Sequence, residues 1–286
     1  MSTSASPVTA VPVTVPTVRQ VLVPIDFSDA SRCAFQRALD VARLFHSTVI
    51  VAHVVTGATL TLAPPDLELR LQAELDVFET EAAAQNIRCE TLLLKGAIVE
   101  TINELIADYH IDLLVLATHG GRGVHGVFLG STAEHLIRHA TIPVITVGSA
   151  APQPSWSAEG LRQILFAGNF APEAFHPEGL SIALGLHELT GAKLSVVETV
   201  PVGTWPEIVE ALHEDIAAVI PPDTPIHIVP GPVGRGVCGV ARHIGADLIA
   251  LSVQPSSFAR ELFGSGLLEI LLNAPCPVLT MRNRRK

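Results

Sequence analysis

The sequence predicts an α/β protein made of two tandem open sheets, each of five parallel strands with helices on both faces. Three observations carry this. The chain is 48% hydrophobic but only 5% aromatic, so its apolar content is mostly Ala, Val, Leu and Ile, which suits strands buried on both faces between helices. Short apolar runs alternate with longer segments of helical spacing, and such βα alternation implies parallel strands joined by right-handed crossovers. Finally, the same order occurs twice: ALDVARLFHSTVIVAHVV from Ala38 lies over ALGLHELTGAKLSVVETV from Ala183, IDLLVLA from Ile111 over ADLIALS from Ala246, and IPVITV from Ile142 over CPVLTM from Cys276. The length of 286 residues agrees with two domains of about 150 residues each.

The elements follow in order. Residues 1–18 hold three prolines and no charge, and are expected to form a tail without fixed structure. VLVPID (21–26) reads as a buried strand, and SDASRCAFQRALDVARLF as a helix behind a Ser28 cap. TVIVAHVV (48–55) is the second strand. After the Pro64-Pro65 break a charged amphipathic helix runs over 66–85, followed by strand IRCETLLL, helix VETINELIADY and strand DLLVLAT. Helix TAEHLIRHA and strand PVITV close the first domain, 19–149. A Pro-containing, aperiodic stretch over 150–160 is the linker, and 161–286 is the second domain. The fifth strands, PVITV and PVLTM, are apolar and lie at sheet edges. They are expected to pair with each other, so that one chain imitates a dimer of single domains; a homodimer of whole chains is compatible with this.

Composition excludes several functions. The net charge of -10 repels phosphate backbones, which argues against nucleic acid as a partner. The lysines of the chain are Lys95, Lys193 and Lys286, and none follows a glycine-rich loop into Ser or Thr, so a Walker A site is excluded. Cys33, Cys89, Cys238 and Cys276 form no CxxC pair, which fits reduced thiols and the cytoplasm rather than a disulfide or zinc framework. No apolar run reaches about 18 residues and no basic residue precedes Arg19, so neither a membrane span nor a signal peptide is expected.

In open parallel sheets a ligand binds at the carboxyl ends of the strands, where the strand order reverses. Asp26 ends the first strand and Ala117 to Gly120 follow the fourth. Nine residues separate Gly120 from Gly130, after which Ser131 opens a helix. A loop of this kind brings backbone N–H groups to phosphates, and the helix terminus adds partial positive charge. Gly121, Gly123 and Gly126 keep it free of bulk, and Arg122 supplies a cation.

These residues resemble the universal stress protein family, and its tandem-domain members in particular. The likeness rests on V-P-x-D-F-S (Val23 to Ser28), the H-V of His53 and Val54, the T-H-G of Thr118 to Gly120, and the G-x9-G-S of Gly120 to Ser131. The nucleotide-binding branch of the family carries G-x2-G-x9-G-[ST]; Ala117 stands at the first glycine and the remainder is intact. The resemblance implies an adenine nucleotide alpha hydrolase-like, Rossmann-like fold that binds ATP, with magnesium able to accompany it. It places Ile25 and Asp26 at adenine or ribose, Val54 and Leu116 as walls of the base, and Gly120, Gly130, Ser131 and Thr132 at the phosphates, with Ala117 beside them.

Structural roles compete at several of these positions. Ser131-Thr-Ala-Glu134 is a capping box, so Ser131 is expected to cap its helix. Asp26 is able to cap the helix after the first strand. His135 and His139 lie one helical turn apart but lack further metal ligands in the sequence. In the second repeat Asn169 replaces Asp26, Ser252 replaces Ala117, Pro255 replaces Gly120 and Glu198 replaces His53. That repeat is therefore expected to be structural, the alternative being another ligand held by GPVGRG (231–236). No nucleophile and base pair or metal cluster is apparent, so the expectation is an ATP-binding regulator of a stress response rather than an enzyme. The alternatives are a slow ATP hydrolase and a nucleotide-free scaffold.

Overall fold

The computed structural model describes residues 11–57, 64–118, 129–148, 156, 160–170, 175, 177–253 and 266–282. It forms two compact units, one of residues 17–160 with 271–282, the other of residues 161–270 with the 11–16 segment.

The first unit begins with β1 (Gln20–Pro24), α1 (Asp29–Phe45) and β2 (Thr48–Val55), continues with α2 (Leu67–Ala83), β3 (Cys89–Lys95), α3 (Ile98–Asp108) and β4 (Leu113–Ala117), and reaches α4 (Ser131–His139) and β5 (Val144–Val147). β1 pairs in parallel with β2 on one side and β4 on the other, β2 with β3, and β4 with β5. The strand order 3-2-1-4-5 therefore reverses at β1. Val21, Leu22 and Val23 are fully buried, as a central strand covered on both faces requires. Helix α1 starts at Ser28, whose hydroxyl accepts the Ser31 N–H at 3.2 Å, and it buries Ala34, Phe35, Ala38, Leu39, Val41 and Ala42.

The second unit repeats the plan with β6 (Gln163–Ala167), α5 (Pro177–Thr190), β7 (Lys193–Val200), α6 (Pro206–Ala217), β8 (Ile226–Pro230), α7 (Val233–Ile244) and β9 (Leu248–Val253). Here β6 lies between β7 and β9, and β8 pairs with β7, all in parallel. Helix α8 (Gly266–Asn273) leads to β10 (Val278–Arg282), the last strand of the second repeat. As expected from the sequence, β10 pairs with β5, and it does so antiparallel: Val278 opposite Thr146, Leu279 opposite Ile145, Thr280 opposite Val144. The two threonines bond reciprocally across the pair, Thr146 Oγ1 to the Val278 carbonyl and Thr280 Oγ1 to the Val144 carbonyl. The exposed apolar edge of β5 is thereby closed.

One carboxylate in each repeat fixes the register of the central strand. Asp112 Oδ2 accepts the N–H groups of Arg19 (2.7 Å) and Gln20 (3.0 Å), and its own N–H bonds the Gln20 carbonyl at 3.0 Å. Asp247 does the same to Arg162 (3.0 Å) and Gln163 (2.9 Å), with its N–H on the Gln163 carbonyl at 2.8 Å. A second carboxylate, Asp40, is buried in the first unit and accepts Arg37 Nη1 (2.8 Å), Arg43 Nη1 (2.7 Å) and the backbone N–H of Trp156 (3.1 Å), while the Arg37 guanidinium lies 5.1 Å from the Trp156 ring. It thus ties one residue of the expected linker to α1.

The expectation of an unstructured tail fails for residues 11–18. The Thr14 N–H bonds the Ser181 carbonyl at 3.2 Å, the Ser181 hydroxyl bonds the Pro12 carbonyl, and the Val18 carbonyl accepts the Ser47 hydroxyl at 2.6 Å. The docking depends on Gly185: a Cβ there would lie 1.9 Å from the Thr14 carbonyl oxygen. In a helix the carbonyl of residue i faces residue i+4, so a side chain at 185 would also shield the Ser181 oxygen that Thr14 uses. Prolines do not prevent this, because an extended segment needs few of its own N–H groups.

Asp112→Ala is expected to destabilise the chain by about 2 kcal/mol or more, since two amides lose a charged acceptor, read as a lower midpoint in urea unfolding. For Gly185→Ala the prediction is loss of hydrogen-exchange protection at the Thr14 amide with little change in melting temperature, because a gain of about 1 kcal/mol in helix propensity offsets the undocking of the 11–16 segment.

Candidate functional site

The carboxyl ends of β1, β2 and β4 meet where the sheet order reverses, the place at which open α/β sheets bind ligands. The chain leaves β1 through Ile25, which is buried and whose N–H bonds the Ala52 carbonyl at 2.8 Å. Asp26 is exposed; its Oδ1 accepts the Ser28 N–H at 3.1 Å and the Ser28 hydroxyl at 2.5 Å. Ser28, not Asp26, caps α1, and Asp26 buttresses the cap. Phe27 takes a left-handed conformation (φ 63°), a strained choice for a bulky residue. His53 holds it there: Nδ1 donates to the Ile25 carbonyl at 2.7 Å and the ring lies 4.6 Å from the Phe27 ring. β2 outruns β1 at this end, so His53 and Val54 have no partner on β1. Val54 is buried there.

At the end of β4, Leu116 is buried, Ala117 is half-buried and Thr118 is buried with its N–H on the Val147 carbonyl at 3.0 Å. The Thr118 carbonyl in turn accepts the Gly130 N–H at 2.9 Å. This single bond latches the two ends of the glycine-rich loop. Residues 119–128, with Gly120, Gly121, Arg122, Gly123 and Gly126, lie outside the described residues.

The expected cap at Ser131 is not formed. The N-cap of α4 is Gly130 (φ -61°, ψ 139°), without a side-chain cap, and Glu134 pairs with Arg138 at 2.8 Å instead of closing a box. The i,i+4 ion pair has won over the box. Two consequences follow for the site. The Gly130 amide is committed to Thr118 and is not a phosphate donor. The first-turn amides of Ser131, Thr132 and Ala133 have no acceptor within the helix, and the Ser131 and Thr132 hydroxyls stand beside them at the positive end of its dipole. Ser131 is exposed and Thr132 half-buried. That donor set suits phosphate oxygens, while a carboxylate such as Asp26 suits ribose hydroxyls or an adenine amino group.

The second unit keeps the frame and changes the chemistry. Gly168, Asn169 and Phe170 follow β6 as Ile25, Asp26 and Phe27 follow β1. Glu198 stands in the place of His53 with reversed hydrogen-bond polarity, accepting the Phe170 N–H at 2.8 Å and the Thr199 N–H at 3.2 Å. Burial pushes its carboxyl up to about 7, against the two backbone bonds that favour the anion. In the alternative ligand loop 231–236, Pro232 is the N-cap of α7, a Cβ at Gly234 would lie 2.5 Å from the Glu269 side chain and one at Gly236 2.8 Å from Thr199 Cγ2, while Gly231 takes a left-handed turn (φ 120°) with open space around it. Pro255, Gly264 and Ser265 lie outside the described residues.

The remaining reactive side chains are held in ordinary ways. The His135 and His139 rings stack at 4.2 Å, and His139 Nδ1 donates to the His135 carbonyl at 2.8 Å. Among the described residues no group of three or more His, Cys, Asp or Glu is placed to hold a metal. Burial raises the Cys89 and Cys238 thiols to about 12 and about 11, which keeps both protonated and unreactive at neutral pH. Sequence reasoning missed the role of Thr118 as a latch and of His53 as a brace. Both stand in motifs already singled out, the T-H-G and the H-V, which mark their places but not these roles.

The switch point of a parallel sheet, with a carboxylate on one side and a helix amino end on the other, defines a protein of the doubly wound α/β class. The comparisons place it more closely. The universal stress protein family model matches residues 17–148 and 176–282, and the chain belongs to that family. Over 138 residues it is 28% identical to universal stress protein MJ0531 of Methanocaldococcus jannaschii, covering 45% of this chain and 81% of the relative. Over 139 residues it is 29% identical to universal stress protein A homolog 1 of Coxiella burnetii, covering 45% and 95%. A crystal structure of a universal stress protein from Archaeoglobus fulgidus shares the fold over both repeats, with a TM-score of 0.71 at 18% identity, covering 93% of this chain and 97% of that one.

The Glu198 carboxyl has a testable pH signature. Its value in the folded protein lies above the ordinary carboxylate value of 4.5, so the folded state holds the proton more tightly, and stability falls as pH rises between about 4.5 and 7. Wild type should lose up to about 3 kcal/mol across that window from this group. Glu198→Gln should remove this dependence and gain most at pH 8, which denaturant unfolding at pH 5 and pH 8 will show.

Proposed function

We propose that the first repeat binds ATP at the β1–β4 crevice and that the chain acts as a nucleotide-dependent regulator of a cytoplasmic stress response. In this reading Ile25 and Asp26 contact the nucleoside, Val54 and Leu116 wall the base, and Ser131 and Thr132 hold phosphate oxygens with the Gly120–Gly130 loop around them. Ala117 gives the loop its start without side-chain bulk. The observation that carries the reading is the uncapped amino end of α4, placed at the switch point by the Thr118–Gly130 bond. Magnesium, where it accompanies the nucleotide, is held mainly by the phosphates and water, as this hard cation favours oxygen ligands. The reading is of a binding protein, because the residues assigned to the crevice position a nucleotide and supply no paired nucleophile and base.

Stoichiometry and variants test this. Calorimetry should give one ATP per chain, since the second unit has Asn169 for Asp26 and an inward-held Glu198 for His53. Gly130→Val should abolish binding at little cost to the fold: φ at 130 suits any residue, and a Cβ there meets only the Thr118 oxygen at 3.6 Å. The change of N-cap costs about 1 kcal/mol. Asp26→Ala and Ser131→Ala should each weaken ATP about tenfold or more. Wild-type affinity in all three variants removes the reading, and phosphate release that disappears in Asp26→Ala replaces it with slow hydrolysis.

A further inference from the structure

Helix α6 carries an apolar stripe at helical spacing: Trp205 at its N-cap, then Ile208, Val209, Leu212 and Ile216. Such a stripe is built to be covered, yet only its last member is buried. Val209 and Leu212 are half-buried, Ile208 is 54% exposed, Trp205 71% and Val202, in the preceding loop, 82%. The counterpart in the first unit, α2, buries Leu75, Phe78 and Ala82. Beside the uncovered end of α6 lies a groove of about 590 Å³, its lining including Pro206, Val209, Glu210, His213, Glu214 and Ile228. Ile228 comes from β8, an edge strand of its sheet. Between residues 201 and 225 the chain carries Glu207, Glu210, Glu214, Asp215 and Asp223 and no Lys or Arg. The surface thus combines exposed apolar side chains with acidic ones and carries no Lys or Arg of its own segment.

We propose that this face docks a cationic amphipathic helix of a partner protein, its apolar side chains on Trp205, Ile208 and the groove and its Lys or Arg side chains against Glu210 and Glu214. The charge pattern selects the occupant. A second copy of this face would bring like charges into contact in a chain of net charge -10, whereas a basic helix is attracted on approach and held by the exposed Trp205.

The probe is a synthetic amphipathic helix with leucines at i, i+3, i+4 and i+7 and lysines elsewhere, with a control in which the leucines are serines. The chain has two tryptophans, and Trp156 is buried against Arg37, so a blue shift of the emission on titration reports Trp205. Binding of a labelled probe, followed by anisotropy, should weaken about tenfold or more in Trp205→Ala and in Glu210→Gln/Glu214→Gln, and should weaken with added salt. These are surface changes, and circular dichroism confirms the fold of each variant. Equal binding of the serine control, or unchanged affinity in both variants, overturns the proposal. Concentration-dependent self-association in sedimentation that disappears in Trp205→Ala overturns it in favour of a second copy.

Discussion

The carboxylate at the entrance to the fourth strand of each repeat sets the frame on which the rest depends. Asp112 and Asp247 each gather the two amides that begin the central strand and return one N–H to it. A parallel pair slipped by one residue would turn every side chain to the wrong face. Three bonds at one end prevent that between β1 and β4, and between β6 and β9. Because β1 is also the strand at which the order reverses, the same bonds fix where the carboxyl ends of β1 and β4 stand relative to each other along the strands. The device is equally present in the second unit, where the ligand chemistry is altered. It therefore serves the fold and not the ligand.

Much of this was legible in the sequence because it depends on local pattern. The buried strands appear as apolar runs, Ser28 as a cap, and the pairing of PVITV with PVLTM as two apolar edges in need of a partner. What was not legible depends on interactions distant in sequence. The capping box at Ser131 is satisfied on paper, but Arg138 takes Glu134 and the Thr118 carbonyl takes Gly130, so the helix begins one residue earlier than the motif implies. Residues 11–16 carry no helical or strand pattern of their own; their order comes from Ser181 and Gly185, more than 160 residues away. In the GPVGRG stretch Gly234 and Gly236 are packing contacts, while Gly231 takes a left-handed turn (φ 120°) in open space. Of the candidate site, the positions at the strand ends were legible and are brought to one edge, while the commitment of the Gly130 amide to Thr118 became clear only from its hydrogen bond.

The two repeats show how one frame supports different surfaces. At the turn after the central strand both need a brace for a loop that would otherwise be loose. His53 supplies it by donating to a carbonyl and Glu198 by accepting from amides. The imidazole brace leaves Asp26 as the nearby carboxylate at the end of the first strand, where its oxygens suit hydroxyl donors. The acidic brace places a second kind of carboxylate, half protonated near neutral pH, where an anion would have to approach. Substitution at the bracing position thus changes the charge at the turn, and the backbone differs with it: Phe27 is left-handed and Phe170 is not.

Helix α6 extends the same argument to the surface. In the first unit the crossover helix between the second and third strands gives Leu75, Phe78 and Ala82 to the core and leaves Leu69 and Val77 exposed. In the second unit the equivalent helix keeps an apolar stripe but commits only Ile216 inward. Burial of a large apolar side chain contributes about 1.5–3 kcal/mol, so an exposed Trp205 and Ile208 represent stabilisation the isolated chain does not obtain. A helix serving only the fold would gain from polar residues at those positions, which lower the exposed apolar area and its tendency to associate. Retaining them beside acidic side chains is consistent with a surface whose apolar area is buried only when a partner of opposite charge is bound.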